Sequence, residues 1–92
     1  MPKLTFTLYV FGKSQRTENM ISSLRRMLDE GVGGEYELRV CDVREEPQQA
    51  EQNKILATPT LVLTSPPPAR VIVGDLTDTG KVFGYLAGLI GG

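Results

Sequence analysis

The fold is decided between residues 54 and 73, where the chain reads Lys54-Ile55-Leu56-Ala57-Thr58-Pro59-Thr60-Leu61 and then Ser65-Pro66-Pro67-Pro68. Four prolines fall within ten residues here, and each one fixes φ and removes a backbone donor. The apolar runs that follow Pro59 and Pro68 have the composition of strands. We therefore predict a third strand from Thr60 to Leu63 and a fourth from Arg70 to Val73, antiparallel to it across the Ser65–Pro68 turn.

Size and composition indicate one small soluble domain. The chain has 92 residues, 40% hydrophobic and 23% charged, with a formal net charge of −1, which are ordinary values for a globular protein. It has no basic run and no aromatic RNA-reading pattern, so we expect no nucleic-acid partner. No apolar stretch approaches the roughly 20 residues that span a bilayer, and Met1-Pro2-Lys3-Leu4 leads directly into a strand pattern rather than a signal peptide. We expect a cytoplasmic protein that does not enter a membrane.

Cys41 is the only cysteine, and the sequence contains no histidine. These two facts exclude an intramolecular disulfide, a zinc site of the usual Cys/His kind and a Ser-His-Asp or Cys-His nucleophile. We therefore expect no metal, no cofactor and no enzymatic activity. Cys41 is either a redox-sensing thiol or a small, partly buried structural residue. The second interpretation is favoured because the sequence offers no cysteine or His⁺ partner to activate the thiol.

The first third of the chain predicts a strand followed by an amphipathic helix. Residues 4–11 alternate between two faces with a period of two, as a strand does. Apolar residues then recur at helical spacing, with Ser14 or Thr17 available as the N-cap and Gly31 at the end. The stripe consists of Met20, Ile21, Leu24, Met27 and Leu28. Both methionines stand at core spacing, so we interpret them as packing residues rather than as a binding surface.

A second strand is predicted from Glu35 to Val43, with Cys41 on its less apolar face. Strand, helix and strand joined by a short glycine link indicate a βαβ unit with parallel strands. Pro47 suits the first turn of a second helix. That helix, Gln48 to Leu56, is predicted to be short and exposed because it carries few apolar residues.

The last predicted element is a helix from Val82 to Ile90, with Asp75 or Thr77 as its cap. Gly80, Gly84 and Gly88 lie four residues apart along one face, and a glycine inside a helix costs about 1 kcal/mol relative to alanine. Two interpretations remain open. The glycines either permit close packing or leave the segment deliberately weak as a helix, so that another packing can compete with it.

The resulting order, βαβαββα, resembles the thioredoxin fold, in which a cis-proline precedes the third strand. Pro59 stands at that position. The loop that carries the Cys-x-x-Cys of thioredoxins corresponds here to residues 12–17, which contain no cysteine. The resemblance therefore implies a scaffold used for binding, since a fold alone does not confer activity.

Several motifs carry a narrower resemblance over essentially the whole chain. They are Leu8-Tyr9-Val10 with Gly12; Asp42-Val43 with Pro47-Gln48 and Ala50-Glu51; Lys54 through Leu61; Pro66-Pro67-Pro68; and Gly74-Asp75-Leu76 with Lys81-Val82. With these motifs at this spacing, the chain closely resembles the KaiB family.

The resemblance implies a non-enzymatic, fold-switching (metamorphic) regulator of biological rhythms. KaiB-like proteins rest, often as homotetramers, in a βαββααβ fold, and they switch to a monomeric thioredoxin-like fold to bind the N-terminal ATPase ring of KaiC. In cyanobacterial clocks the bound form recruits KaiA and displaces the histidine kinase SasA, which delays KaiC phosphorylation. The glycine and aspartate that influence the switch correspond to Gly74 and Asp75.

Two positions depart from the family pattern. Thr7 and Asn19 stand where basic residues are usual, in the region that the switched form uses to meet its partners. They complete the set of predicted fold-switch and partner-binding residues: Pro59, Pro66, Pro67, Pro68, Gly74, Asp75, Thr7 and Asn19.

For the single domain 1–92 we predict the thioredoxin-like α/β order. The alternative is the KaiB resting fold, in which the region after Ala57 is largely helical and Val82–Ile90 is a strand. The predicted function is a KaiC-binding clock regulator. The alternatives are an adaptor of another ATPase or histidine kinase in stress signalling, and a redox protein that uses Cys41.

Overall fold

Helices and strands alternate in the first half of the chain, and two strands then follow each other directly. The computed structural model describes residues 3–31, 35–55, 57–65, 69–73 and 80–84. The elements are β1 (Leu4–Val10), α1 (Gln15–Gly31), β2 (Tyr36–Asp42), α2 (Pro47–Gln52), β3 (Thr60–Ser65) and β4 (Arg70–Val73). Residues 80–84 are helical.

The strands form one mixed sheet in the order β2-β1-β3-β4. β1 runs parallel to β2 and antiparallel to β3, and β4 runs antiparallel to β3. Leu8 of β1 lies opposite Val40 on one side and Leu61 on the other. The parallel βαβ unit and the antiparallel pairing of the last two strands are therefore confirmed. Since side chains alternate between the faces of a sheet, the two faces carry separate clusters.

Helix α1 covers one face of the sheet and begins two residues before Thr17. Ser14 is its N-cap, because the Thr17 N–H donates to Ser14 Oγ at 3.1 Å. The helix ends at Gly31, as predicted. No helix in the described ranges combines the length and the apolar character needed to cross a membrane.

The main core lies between α1 and the sheet. Leu24 and Leu28 are fully buried there, and Met20 and Met27 are at most 9% exposed, so the predicted packing role of the methionines is confirmed. Truncating a fully buried leucine to alanine typically costs about 2–5 kcal/mol. The cluster consists of Phe6, Leu8, Val10, Met20, Leu24, Met27, Leu28, Leu38, Leu61, Leu63, Ile72 and Val82.

The opposite face of the sheet carries a smaller core. Tyr9, Cys41 and Val62 are buried together, and Val43 and Ile55 pack against them. Cys41 lies on the less apolar face of β2, with Glu37 and Arg39, as predicted; Tyr9 of β1 and Val62 of β3 bury it there.

Helix α2 is shorter than the predicted segment that reached Leu56. Pro47 occupies its first turn as expected, and Ala50 is its buried residue. The helix ends at Gln52 because Asn53 turns the chain, donating from Nδ2 to the Gln49 carbonyl at 2.8 Å. Lys54 then takes a positive φ of 56°, which is incompatible with helix continuation.

After Pro59 the chain follows the thioredoxin-like order. Strands β3 and β4 have the predicted starts, and Val82 in the helical segment 80–84 is buried in the main core. The resting alternative requires helix after Ala57 and strand from Val82, so it does not describe this structure. Pro66, Pro67, Pro68, Gly74 and Asp75 lie outside the described residues, as do the predicted cap residues of the last helix.

Candidate partner-binding site

A groove opens at the end of the sheet where the parallel strands β1 and β2 finish. Open α/β sheets form binding crevices outside the carboxyl ends of their parallel strands. The groove has a volume of about 690 Å³ and is called here the Phe11 groove; it is lined by Phe11, Val43, Pro47, Ala50, Glu51, Lys54, Ile55, Ala57 and Thr58. Val43 and Ile55 also pack against the smaller core, so the apolar wall of the groove continues into the folded interior.

The proline that precedes β3 directly follows two lining residues of this groove, Ala57 and Thr58. The Thr58–Pro59 peptide bond is cis, which confirms the cis bond predicted at Pro59. The Thr60 hydroxyl donates to the Ala57 carbonyl at 2.6 Å, and Thr60 is paired with Tyr9 near the end of β1. Thr58, the residue before the cis-proline, lines the groove together with Phe11.

A buried carboxylate organises the turn that leaves β1. Asp42 Oδ1 accepts the Gly12 N–H at 3.0 Å and the Arg44 N–H at 2.9 Å. Gly12 has a φ of 76°, a region that glycine adopts without steric cost. One carboxylate oxygen therefore fixes both the β1–α1 turn and the turn that leads to α2.

The electrostatics of Asp42 follow from these contacts. The Gly12 N–H and then the Arg44 N–H lower the pKa of its carboxyl group below the ordinary value; burial opposes this shift, and the Arg44 charge adds to it. Arg44 Nε lies 3.7 Å from Oδ1. Oδ2 is buried and accepts no hydrogen bond from the described residues.

Phe11 and Arg44 stand together at the rim of the groove. The Arg44 Cζ lies 5.5 Å from the centroid of the Phe11 ring, within the range of a cation–π contact. Phe11 is 68% exposed. The sequence predicts Phe11 only as a strand residue and Asp42 only as part of a family motif. It assigns no role in the site to Asp42 or Arg44, since their roles depend on contacts across the fold.

The environment of Cys41 does not favour a reactive thiol. The residue is 4% exposed, and burial raises the pKa of its thiol, as do a hydrogen bond to Glu46 and the charges of Glu46 and Asp42. A raised pKa leaves less of the nucleophilic thiolate at neutral pH. Within the described ranges, no group of histidine, cysteine or acidic residues is arranged to hold a metal ion.

Comparison with known families and proteins identifies the chain's relatives. The family model of the KaiB domain matches residues 7–86. The chain belongs to the KaiB family. The circadian clock protein KaiB3 of Synechocystis sp. is 40% identical over 82 residues, which cover 89% of this chain and 80% of that protein. The circadian clock oscillator protein KaiB of Microcystis aeruginosa is 48% identical over 75 residues, covering 82% and 72%. The resemblance found in the motifs is confirmed.

Solved structures show the same fold at lower identity. The N-terminal domain of Synechococcus elongatus SasA matches with a TM-score of 0.78 at 22% identity, over 95% of this chain and 82% of that one. The thioredoxin Deadhead of Drosophila melanogaster matches with a TM-score of 0.73 at 18% identity, over 97% and 83%. The predicted thioredoxin-like fold is confirmed for this KaiB-family chain.

Among the predicted fold-switch and partner-binding residues, the structure describes Pro59, Thr7 and Asn19, and it does not bring these three together. Pro59 directly follows Thr58, which lines the Phe11 groove. Thr7 is half-buried in mid-sheet between Arg39 and Val62, on the face opposite α1. Asn19 is exposed on α1, where its Oδ1 accepts a hydrogen bond from Gln15 at 2.9 Å. Thr7 and Asn19 therefore lie on different layers, and their partner-binding roles stay predictions.

Proposed function

We propose that this chain is a non-catalytic clock regulator that binds the N-terminal ATPase ring of a KaiC-type protein in its thioredoxin-like state and modulates KaiC phosphorylation. The observation that carries the proposal is the KaiB-domain match over residues 7–86, together with relatives at 40–48% identity that are named circadian clock proteins. Those relatives are matched over most of their own length, so the comparison concerns nearly the whole domain.

A non-catalytic role is supported by the chemistry of the chain. The turn after β1 lacks the cysteines of a thioredoxin, and the sequence contains no histidine. The one thiol is buried, with a raised pKa, beneath the start of α2. Disulfide exchange needs an accessible thiolate, so the scaffold is suited to recognition rather than to redox chemistry.

The Phe11 groove is the surface that we propose for contact with the ATPase. Its lining is mostly apolar, with Glu51 and Lys54 as its charged members, the composition of an interface centre with a polar rim. The likeness of fold to the SasA N-terminal domain supports the further proposal that a SasA-type kinase competes for the same site on KaiC. KaiA is proposed as a partner of the bound complex.

A binding experiment with paired variants tests the proposal. The chain is mixed with the KaiC-type ATPase of the same organism, with ATP and with ADP, and complex formation and KaiC phosphorylation are measured. Ala57 and Ala69 are both exposed, but only Ala57 lines the groove. We expect Ala57→Arg to weaken binding by about tenfold or more and Ala69→Arg to bind as the wild type does.

Two results would overturn the proposal. The first is absence of a complex between the wild-type chain and the ATPase with either nucleotide. The second is a complex that leaves KaiC phosphorylation unchanged. Capture of a different ATPase or of a histidine kinase in place of KaiC would support the adaptor alternative.

A further inference from the structure

Phe11 is exposed to solvent and yet is held in place by its surroundings. Single exposed hydrophobic residues are ordinary on protein surfaces, and exposure alone says nothing about binding. Phe11 differs because it combines 68% exposure with a fixed turn on one side and a guanidinium group against its ring.

The fixed turn begins at the next residue. Gly12 is buried, and its N–H is held by Asp42. A Cβ at Gly12 would lie 2.8 Å from Arg44 Cζ and 2.9 Å from Nη2, so the guanidinium lies directly against the glycine backbone. Arg44 therefore packs between the Gly12 backbone and the Phe11 ring, and the absence of a side chain at Gly12 makes this packing possible.

Arg44 keeps part of its hydrogen-bonding capacity. Its backbone N–H and its Nε are both directed to Asp42 Oδ1. Its terminal nitrogens make no hydrogen bond to any described residue, and the side chain is 52% exposed. Terminal guanidinium nitrogens present a planar pair of donors that matches a carboxylate.

The groove beside this pair is electrically balanced. Its lining contains one carboxylate, Glu51, and one ammonium group, Lys54, and the other lining residues are uncharged. The terminal N–H groups of Arg44 therefore provide directed hydrogen-bond donors at the Phe11 end of the groove. A complementary surface would place an apolar side chain in the groove and an acceptor over Arg44.

We propose that Phe11 and Arg44 act as one preorganised contact that selects a partner surface on which an apolar side chain stands next to a carboxylate. The inference rests on the proposed function for its partner, a KaiC-type ATPase. Preorganisation matters because side chains that are already ordered lose less entropy on binding. Aromatic residues and arginine are also the types that contribute most at interface centres.

A double-mutant cycle tests this coupling. Affinity for the KaiC-type ATPase is measured for Phe11→Ala, Arg44→Gln and the double variant. Each single change is expected to weaken binding by about tenfold. The double variant is expected to lose less than the product of the two single losses, because each change removes the same contact. Val71→Ala is the matched control, since Val71 is 50% exposed but lies on the edge strand β4.

Salt dependence tests the carboxylate. The affinity of the wild type should fall more steeply with added salt than that of Arg44→Gln, because an ion pair at an interface rim is screened. Equal salt dependence, independent losses in the cycle, or a Phe11→Ala variant with wild-type affinity would overturn the inference and leave the proposed function standing. Absence of wild-type binding would overturn both.

Discussion

Asp42 Oδ1 accepts the backbone N–H of Gly12 at 3.0 Å, across a sequence separation of 30 residues. The bond joins the end of β2 to the turn that leaves β1, the two points from which the candidate site is built. The same oxygen also accepts the Arg44 N–H. Asp42 therefore fixes the backbone next to Phe11 and the backbone of Arg44, and so sets the position of the ring relative to the guanidinium. Any effect of Asp42 on the proposed partner contact is therefore indirect.

Asp42→Asn should lower the thermal stability of the protein at neutral pH. The folded-state pKa of Asp42 lies below its ordinary value of 3.8, chiefly through the Gly12 and Arg44 N–H groups. A carboxyl group with a depressed folded-state pKa stabilises the fold above its unfolded-state pKa, and the contribution is lost as pH falls through the folded-state pKa. The melting temperatures of wild type and Asp42→Asn should thus differ at pH 7, begin to converge at about pH 4 and continue to converge as the pH falls through the folded-state pKa.

Glu30→Gln is the control for the loss of a carboxylate, since Glu30 is exposed on α1. At pH 7 its melting temperature should stay close to that of the wild type, because substitutions of exposed side chains usually change stability little. A wild-type minus Asp42→Asn difference that stays constant from pH 7 to pH 3 would contradict the assignment of the effect to the charge of Asp42.

Alanine substitutions at Gly12 and Gly84 should change stability in opposite directions. Gly12→Ala places a side chain at a φ of 76° and against the Arg44 guanidinium, and the left-handed region alone costs about 1–2 kcal/mol for a residue with a Cβ. Gly84 is helical and exposed, and no described atom lies within 4 Å of a Cβ placed there. Gly84→Ala should therefore gain up to about 1 kcal/mol. Urea unfolding measures both, and a stabilised Gly12→Ala would disprove the account of the turn.

The elements that the sequence predicted best are those whose signal is local. The period of two in β1 and the stripe of α1 identified the main core, and Pro59 was assigned its cis bond from its position in a motif. The end of α2 was missed because it depends on Asn53 bonding back to the Gln49 carbonyl. A polar segment with a helical pattern does not show which side-chain amide will end the helix.

The candidate site was harder to predict, because its geometry is tertiary. Asp42 and Gly12 are distant in sequence, and neither residue type at a strand end is unusual. The alternating pattern that continues to residue 11 also does not show that Phe11 is exposed while Tyr9, on the same predicted face, is buried. One signal was available, since a glycine directly after a strand often marks a position that needs a positive φ.

Cys41→Ser should leave partner binding unchanged. The thiol is buried between Tyr9 and Val62, so exchanging it for a hydroxyl is expected to cost about 1–3 kcal/mol in stability without altering the groove surface. In the native protein at pH 8 the thiol should react with DTNB much more slowly than in denaturant, because burial and Glu46 raise its pKa. Rapid native labelling, or loss of KaiC binding in a folded Cys41→Ser variant, would restore the redox alternative.

Gly31→Ala should destabilise the docking of the helical segment 80–84. A Cβ at Gly31 would collide with the Phe83 ring, and overpacking of this kind typically costs about 1–3 kcal/mol. Gly31 has no positive φ, so an alanine there causes no backbone strain. The substitution therefore tests only the contact between residue 31 and Phe83. Combining it with Phe83→Ala removes the collision, and the double variant should be more stable than the sum of the single effects predicts.

Backbone chemical shifts of residues 80–84 provide a second measurement of the same contact. They should be helical in the wild type and lose that character in Gly31→Ala, because the collision with Phe83 would displace the segment whose Val82 is buried in the main core. The thioredoxin-like order depends on this docking, whereas the alternative order makes the residues from Val82 a strand. Strand-type shifts at these residues in the wild-type protein would contradict the fold, and strictly additive stabilities in the double variant would contradict the contact between Gly31 and Phe83.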